Sequence, residues 1–309
     1  MPTECFTFIE NKHQLKSILS IQNISKKYGF IQALKDVSFD VPEGSVYGIL
    51  GPNGSGKTTL LGILLDVLIA SAGSYQWFGG IHSEDARKDI GSLLETPNFY
   101  HYMSAFDNLE ITARIRGKGL DDRIAVLKQV GLYERRNSNF QTFSLGMKQR
   151  LAIGAALLGK PRVLVLDEPT NGLDPAGIAE IRELIKNLNK DGYTIIIASH
   201  LLDEVEKVCT HVAILKKGNL LLQGPVDAVL NNDDHVEVRA ADMAGLKVVL
   251  EQMPGIRKII LADNTLSVLG AAGAGPQDIN AYCISKGIVL SHLALKKQSL
   301  ESKFMELTK

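Results

Sequence analysis

A chain that carries Gly51-Pro52-Asn53-Gly54-Ser55-Gly56-Lys57-Thr58 between two apolar segments has little freedom in how it folds around them. Val46-Tyr47-Gly48-Ile49-Leu50, just before, has the length and character of a buried strand. Thr59-Leu60-Leu61-Gly62-Ile63-Leu64-Leu65, just after, reads as a helix. The segment between them fits G-x-x-x-x-G-K-[ST]. In such a loop, small residues let successive backbone N–H groups wrap an anion, and the helix adds its positive end. Lys57 then supplies charge for the β- and γ-phosphates of a nucleotide, and Thr58 a hydroxyl for Mg²⁺. The plain alternative is a glycine-rich turn. Four fixed positions recur by chance in roughly one chain of this size in a hundred, so the flanking strand and helix favour nucleotide binding.

Composition limits the rest. At 309 residues there is room for one large α/β domain and a smaller one. Lys and Arg number 34, as do Asp and Glu, giving a formal net charge of zero. That argues against a nucleic-acid surface, which usually shows a basic excess. No apolar run approaches the roughly 18 residues of a membrane span; Leu60 to Ala70 is too short and contains Asp66. Met1-Pro2-Thr3-Glu4-Cys5 lacks the basic flank and apolar core of a secretion signal. Cys5, Cys209 and Cys283 are odd in number and not at metal-ligand spacing, so a reducing, cytoplasmic setting is expected.

Residues 1–17 read as an extension ahead of a first strand pattern, Ile18 to Ile24. From 18 to about 230, strand-like apolar runs alternate with helical periodicity, as α/β layers require. Val163–Leu166 and Thr194–Ala198 are continuous apolar runs, as in strands covered on both faces. Between about 92 and 159 the character is mostly helical. Asp121 to Val130 is amphipathic there, with Asp121 or Asp122 as candidate cap and Gly131 as terminator. The polar stretch Asn231-Asn232-Asp233-Asp234 reads as a linker. Residues 235–309 follow a βαββαβ order with a terminal helix, which suggests a small α+β domain of ferredoxin-like type.

A second constellation lies downstream. Val163-Leu164-Val165-Leu166-Asp167-Glu168-Pro169 is an apolar strand ending in two carboxylates. At the C-terminal edge of a parallel sheet, Asp167 would meet Mg²⁺ beside the phosphate loop, and Glu168 would polarise a water for attack on the γ-phosphate. Taken alone, such a pair is as often a surface turn; the loop upstream shifts the balance toward catalysis.

Phe143-Ser144-Leu145-Gly146-Met147-Lys148-Gln149-Arg150-Leu151, Asn171-Gly172-Leu173-Asp174 and His200 complete the pattern. With the loop and the two carboxylates, they resemble the ABC-transporter ATPase family in order and spacing, from about Ile18 to Gln223. The resemblance implies a P-loop NTPase cassette of α/β class, a mixed core sheet with a helical subdomain, followed by the small α+β domain. It implies that ATP and Mg²⁺ bind, and that Gly51, Pro52, Asn53, Gly54, Ser55, Gly56, Lys57, Thr58 and Thr59 form the phosphate loop. Tyr28 matches the aromatic residue that stacks on adenine. Thr58 and Asp167 match the metal side, Glu168 the catalytic carboxylate, and His200 the switch histidine at the γ-phosphate. Asp174 matches the loop that crosses between subunits. Ser144 and Gly146 match the signature that completes the ATP site of an opposite copy. The implied partners are a second copy of the chain and a transmembrane permease, through which the protein would sit on the inner face of the membrane.

Two departures stand out. Leu145 and Met147 occupy signature positions where the family usually has glycine and glutamine. Glu95 occupies a position where most members carry a glutamine that senses Mg²⁺ and the permease. Glutamate there is similar to the bacitracin- and lantibiotic-type exporters; neutral drift is the alternative. Phe99, Tyr100 and Tyr102, close behind, suit either a permease contact or plain core. An exporter motor is the expected function, with a soluble non-transport ABC ATPase (for cofactor assembly or the ribosome) as the alternative. The signature and His200 disfavour a small-molecule kinase.

Overall fold

The computed structural model describes residues 16–80, 83–94, 98–230, 235–262, 264–270, 275–296 and 299–308. Most of the N-terminal extension, Cys5, Glu95 and the stretch Asn231–Asp234 lie outside them. Contacts divide the chain into two units, Met1–Val226 and Asp227–Lys309.

The first unit opens with β1 (Ser17–Tyr28), β2 (Ile31–Pro42), β3 (Val46–Leu50), α1 (Lys57–Leu64) and β4 (Ala72–Trp77). It continues through α2 (Ser83–Lys88), β5 (Ile90–Leu93), α3 (Ala105–Arg116), α4 (Arg123–Gln129) and α5 (Leu145–Leu157). Then come β6 (Val163–Asp167), α6 (Pro175–Lys190), β7 (Thr194–Ser199), α7 (Leu202–Glu206), β8 (His211–Lys216) and β9 (Asn219–Pro225). The short α8 (Val226–Leu230) follows.

Six strands form the main sheet in the order β5-β6-β7-β3-β8-β9, parallel except for β9. Every residue of β3, β6 and β7 is buried, which is why these segments read as unbroken apolar runs. The first strand pattern belongs elsewhere. β1 pairs antiparallel with β2 and with β4, making a separate three-stranded sheet that simple strand–helix alternation does not foretell. Both sheets share one core, in which Leu19, Leu34 and Val41 join Ile49, Leu61 and Val165. Fully burying each such side chain stabilises the fold by about 1.5–3 kcal/mol. The core thus fixes α1, and the loop in front of it, between two sheets.

The segment from α3 to α5 is helical as expected. Ser104 caps α3 by accepting from the Asp107 N–H, and Gly117 ends it at φ +68°. Asp122 precedes α4 but does not cap it: its backbone is already helical. Its carboxylate instead accepts from the Gly159 N–H at 3.1 Å, tying α4 to the turn after α5. Phe99 is partly buried and packs edge-on against the buried Phe140, with centroids 5.1 Å apart. Tyr100 and Tyr102 are exposed.

The second unit contains β10 (His235–Ala240), α9 (Met243–Glu251), β11 (Ile256–Ala262), β12 (Thr265–Gly270), α10 (Pro276–Ser285), β13 (Leu290–Lys296) and α11 (Leu300–Thr308). Its sheet order, β11-β12-β10-β13, is antiparallel throughout. With the βαββαβ connection this is the ferredoxin-like arrangement. Val236, Val238, Leu266 and Val268 pack against Leu246, Leu250, Ile279 and Cys283 of the two helices.

Candidate functional site

The loop Gly51–Thr58 sits where the parallel strands end. Leu50 of β3 is level with Ser199 of β7, and the Gly51 N–H donates to the Ser199 carbonyl at 3.3 Å. One strand further, Asp167 of β6 is level with Ala198. The segments that follow β3, β6 and β7 therefore emerge side by side, and each carries site residues that the sequence singled out.

Packing dictates the glycines. A Cβ on Gly51 would lie 2.2 Å from the Leu215 carbonyl oxygen, and one on Gly56 would lie 2.7 Å from that of Ala33. Gly56 stands at the N-cap of α1 with φ +105°, offering no side chain to the first-turn N–H groups. These orphan donors give the helix end its affinity for anions. Ser55 Oγ is buried and makes no hydrogen bond among the described residues, leaving a polar atom in the cradle suited to a phosphate oxygen.

Lys57 is buried, an environment that a cation accepts only with partners. Its Nζ donates to the Gly51 carbonyl at 2.8 Å and the Pro52 carbonyl at 3.4 Å, and lies 3.5 Å from Glu168 Oε1. The Thr58 hydroxyl donates to Asp167 Oδ2 at 3.0 Å. His200 Nδ1 lies 2.8 Å from Glu168 Oε2. Glu168 itself has φ +48°, in the left-handed region, which costs a non-glycine residue on the order of 1–3 kcal/mol. The Glu168 N–H donating to Ala198 and its carbonyl accepting from the Asn171 N–H hold it there. Lys57, Thr58, Asp167, Glu168 and His200 thus form one cluster of a cation, a hydroxyl, two carboxylates and an imidazole.

Ser144, Gly146 and Asp174 make a second surface instead. Ser144 caps α5 through the Met147 N–H, and Asp174 caps α6 through the Gly177 N–H. The two helix starts adjoin a groove lined by Leu145, Met147, Gly172 and Leu173 among others. Ser144 and Asp174 are exposed, so both face outward from this copy. Tyr28 lies at the end of β1, half exposed, with Lys26 Nζ 5.0 Å from its ring centroid. The sequence reading passed over Lys26, although residues two apart on a strand share a face. It also missed how Leu145 leans on the loop before α6: a Cβ on Gly172 would lie 3.3 Å from Leu145 Cδ2.

The profile of the family described as ABC transporter matches residues 34–171, taking in the loop, Ser144, Gly146, Asp167 and Glu168. The ABC transporter ATP-binding protein YdbJ of Bacillus subtilis is 37% identical over 94% of this chain and 95% of its own length. The chain belongs to the ABC transporter ATP-binding subunits. It therefore binds ATP and hydrolyses it as the motor of a transport complex. The bacitracin transport ATP-binding protein BcrA of Enterococcus faecalis is 31% identical over 95% of this chain and 97% of its own length. The lantibiotic transport ATP-binding protein SrtF of Streptococcus pyogenes is 39% identical over 70% of this chain and 95% of its own. Among solved structures, cbiO1 of Clostridium perfringens, part of the transporter complex cbiONQ, superposes with a TM-score of 0.64 at 30% identity. That superposition covers 77% of this chain and 96% of cbiO1. Among the described residues no helix is long and apolar enough to cross a membrane.

Proposed function

We propose that this subunit drives an exporter of peptide antibiotics, that it works through a transmembrane permease at the inner face of the membrane, and that two copies enclose ATP head to tail. Similarity to the bacitracin protein BcrA over 95% of this chain supports the cargo class. Glutamate at position 95, outside the described residues, points the same way on sequence alone.

The cluster supports the chemistry, and its central observation is Glu168 held between Lys57 and His200. Lys57 sets its ammonium against the phosphate charge. Glu168 accepts the proton of a water as its oxygen bonds to the γ-phosphorus and the bond to the bridging oxygen breaks. His200 orients that carboxylate and approaches the γ-phosphate. Hydrolysis of this kind is positioning and charge stabilisation rather than covalent catalysis. Thr58 and Asp167 bring two oxygen donors together, the hard ligand set that Mg²⁺ prefers. Thr58 and Asp167 would hold Mg²⁺, which would supply charge neutralisation for the nucleotide's phosphates. Glu95 is assigned to the same metal. Tyr28 stacks on adenine, for about 1–3 kcal/mol by comparison with other base contacts.

The exposed Ser144 and Asp174, with Gly146 beside them, support the dimer, since they adjoin a groove of their own rather than the phosphate loop. Affinity purification of the tagged chain from membranes tests the reading. A multi-span partner and increased sensitivity of a deletion strain to bacitracin-like peptides are expected. Recovery with soluble partners only would contradict it.

A further inference from the structure

We infer that Arg182 and Glu204 are positioning residues for hydrolysis: their ion pair clamps α7 to α6 and so sets where His200 stands against Glu168. The inference rests on the reading of His200 given above. Arg182 Nη1 donates to Glu204 Oε2 at 3.1 Å, and each side chain is only about a quarter exposed, at 24% and 21%. Arg182 projects from α6, sixteen residues long and anchored by Ile181, Leu184, Ile185 and Leu188. Glu204 lies on α7, five residues long, whose one buried side chain is Val205.

The asymmetry between the two helices makes the pair matter. The N-cap of α7 is Leu201, directly after His200, and it offers no side-chain cap. Besides the clamp, α7 is held by contacts that include Val205 against Gly48 and the Leu201 N–H donating to Ser199 Oγ at 3.1 Å. α6 contributes Arg182 and Ile185, and α7 Glu204 and Val205, to one shared lining. A narrow apolar gap lies there, lined by Pro169, Thr170, Ile185, Ile197, Val205 and Val208. Where packing leaves a gap, it defines the spacing poorly, and a part-buried charge-assisted hydrogen bond defines it instead. The gap also reaches Pro169 and Thr170, the two residues after Glu168. The pair and the two residues that follow Glu168 thus line one gap, beside the segments that carry the 2.8 Å contact between His200 and Glu168. Loss of Arg182 does not orphan the carboxylate, because Glu204 Oε1 also accepts from Lys207 Nζ at 3.0 Å. Position, rather than folding, should suffer.

The test measures ATPase turnover, KM for ATP and melting temperature of the full chain for Arg182→Met, Glu204→Gln and the swapped R182E/E204R. Each single change should lower kcat about tenfold and leave KM within about twofold, as for a contact that acts on the transition state alone. The swap should restore kcat to within about threefold of wild type, since the pair rather than either side chain alone carries the effect. In a His200→Ala background, Arg182→Met should cost less than about twofold, since both act through one group. Wild-type kcat in Arg182→Met and Glu204→Gln overturns the proposal, as does a swap no better than the singles or a full loss in the His200→Ala background. If Arg182→Met fails to fold, Glu204→Gln conserves volume and reads the same contact. His200→Ala at the wild-type rate would overturn the reading of His200 itself; an impaired His200→Ala beside an active Arg182→Met would overturn the clamp alone.

Discussion

The two oxygens of the Glu168 carboxylate are divided between a cation and an imidazole: Oε1 lies 3.5 Å from Lys57 Nζ and Oε2 lies 2.8 Å from His200 Nδ1. Its backbone is held at φ +48° to make that division possible. A strained position of this kind supports the proposal that Glu168 serves chemistry. Glu168→Gln keeps the shape and removes the base. Steady-state ATPase assays should show a loss on the order of 10²–10⁴ in turnover, with ATP binding retained. A wild-type rate would remove Glu168 from its role.

The Thr58 hydroxyl donates to Asp167 at 3.0 Å, joining the phosphate loop to the end of β6. Thr58→Ala removes one oxygen and its hydrogen bond to Asp167. Titration of ATPase activity with Mg²⁺ should show the half-maximal concentration raised about 10–100-fold, the range seen when a metal site loses a supporting hydrogen bond. An unchanged Mg²⁺ requirement would place the metal elsewhere.

Gly51 cannot carry a side chain without displacing the Leu215 carbonyl, 2.2 Å from where a Cβ would stand. Gly51→Ala should therefore destabilise the first unit by about 2–4 kcal/mol, read as a lowered denaturant midpoint, and should abolish nucleotide binding. Normal stability would mean the loop can move aside.

Burial raises the pKa of the Cys209 thiol far above its ordinary value, and that of Cys283 in the same direction. Thiolate is the reactive form, so a raised pKa makes both groups inert in the folded protein at neutral pH. Mass-spectrometric mapping after iodoacetamide treatment should find both unmodified until denaturant is added. Prompt labelling of Cys209 in the native chain would contradict its burial beneath Gly48.

Some of this architecture could be read from the chain directly, and the reason is local. β3 and β6 are continuous runs because the parallel sheet is covered on both faces, and each ends at the residues proposed to do chemistry. The βαββαβ order of the second unit was equally legible, since each strand there is short and bounded by turn residues. The antiparallel sheet β2-β1-β4 was not. Register shifts interrupt β1, which blurs its period of two, and mostly exposed β4 pairs with it from some fifty residues away with no apolar run to announce itself. Asp122 was misjudged as a cap because its true partner, the Gly159 N–H, lies 37 residues on. The same holds for Arg182 and Glu204: nothing in their spacing marks a pair, and only the fold brings α6 beside α7.

The central claim is that each chain carries half of two sites, with Ser144, Gly146 and Asp174 turned outward to close over the ATP of a second copy. Sedimentation velocity of the Glu168→Gln chain, with and without saturating ATP and Mg²⁺, tests it most directly. The expected result is a monomer without nucleotide and a dimer with it, the dimer lost again when Gly146 is replaced by Asp. A Glu168→Gln chain that binds ATP yet remains monomeric at saturation would contradict the account.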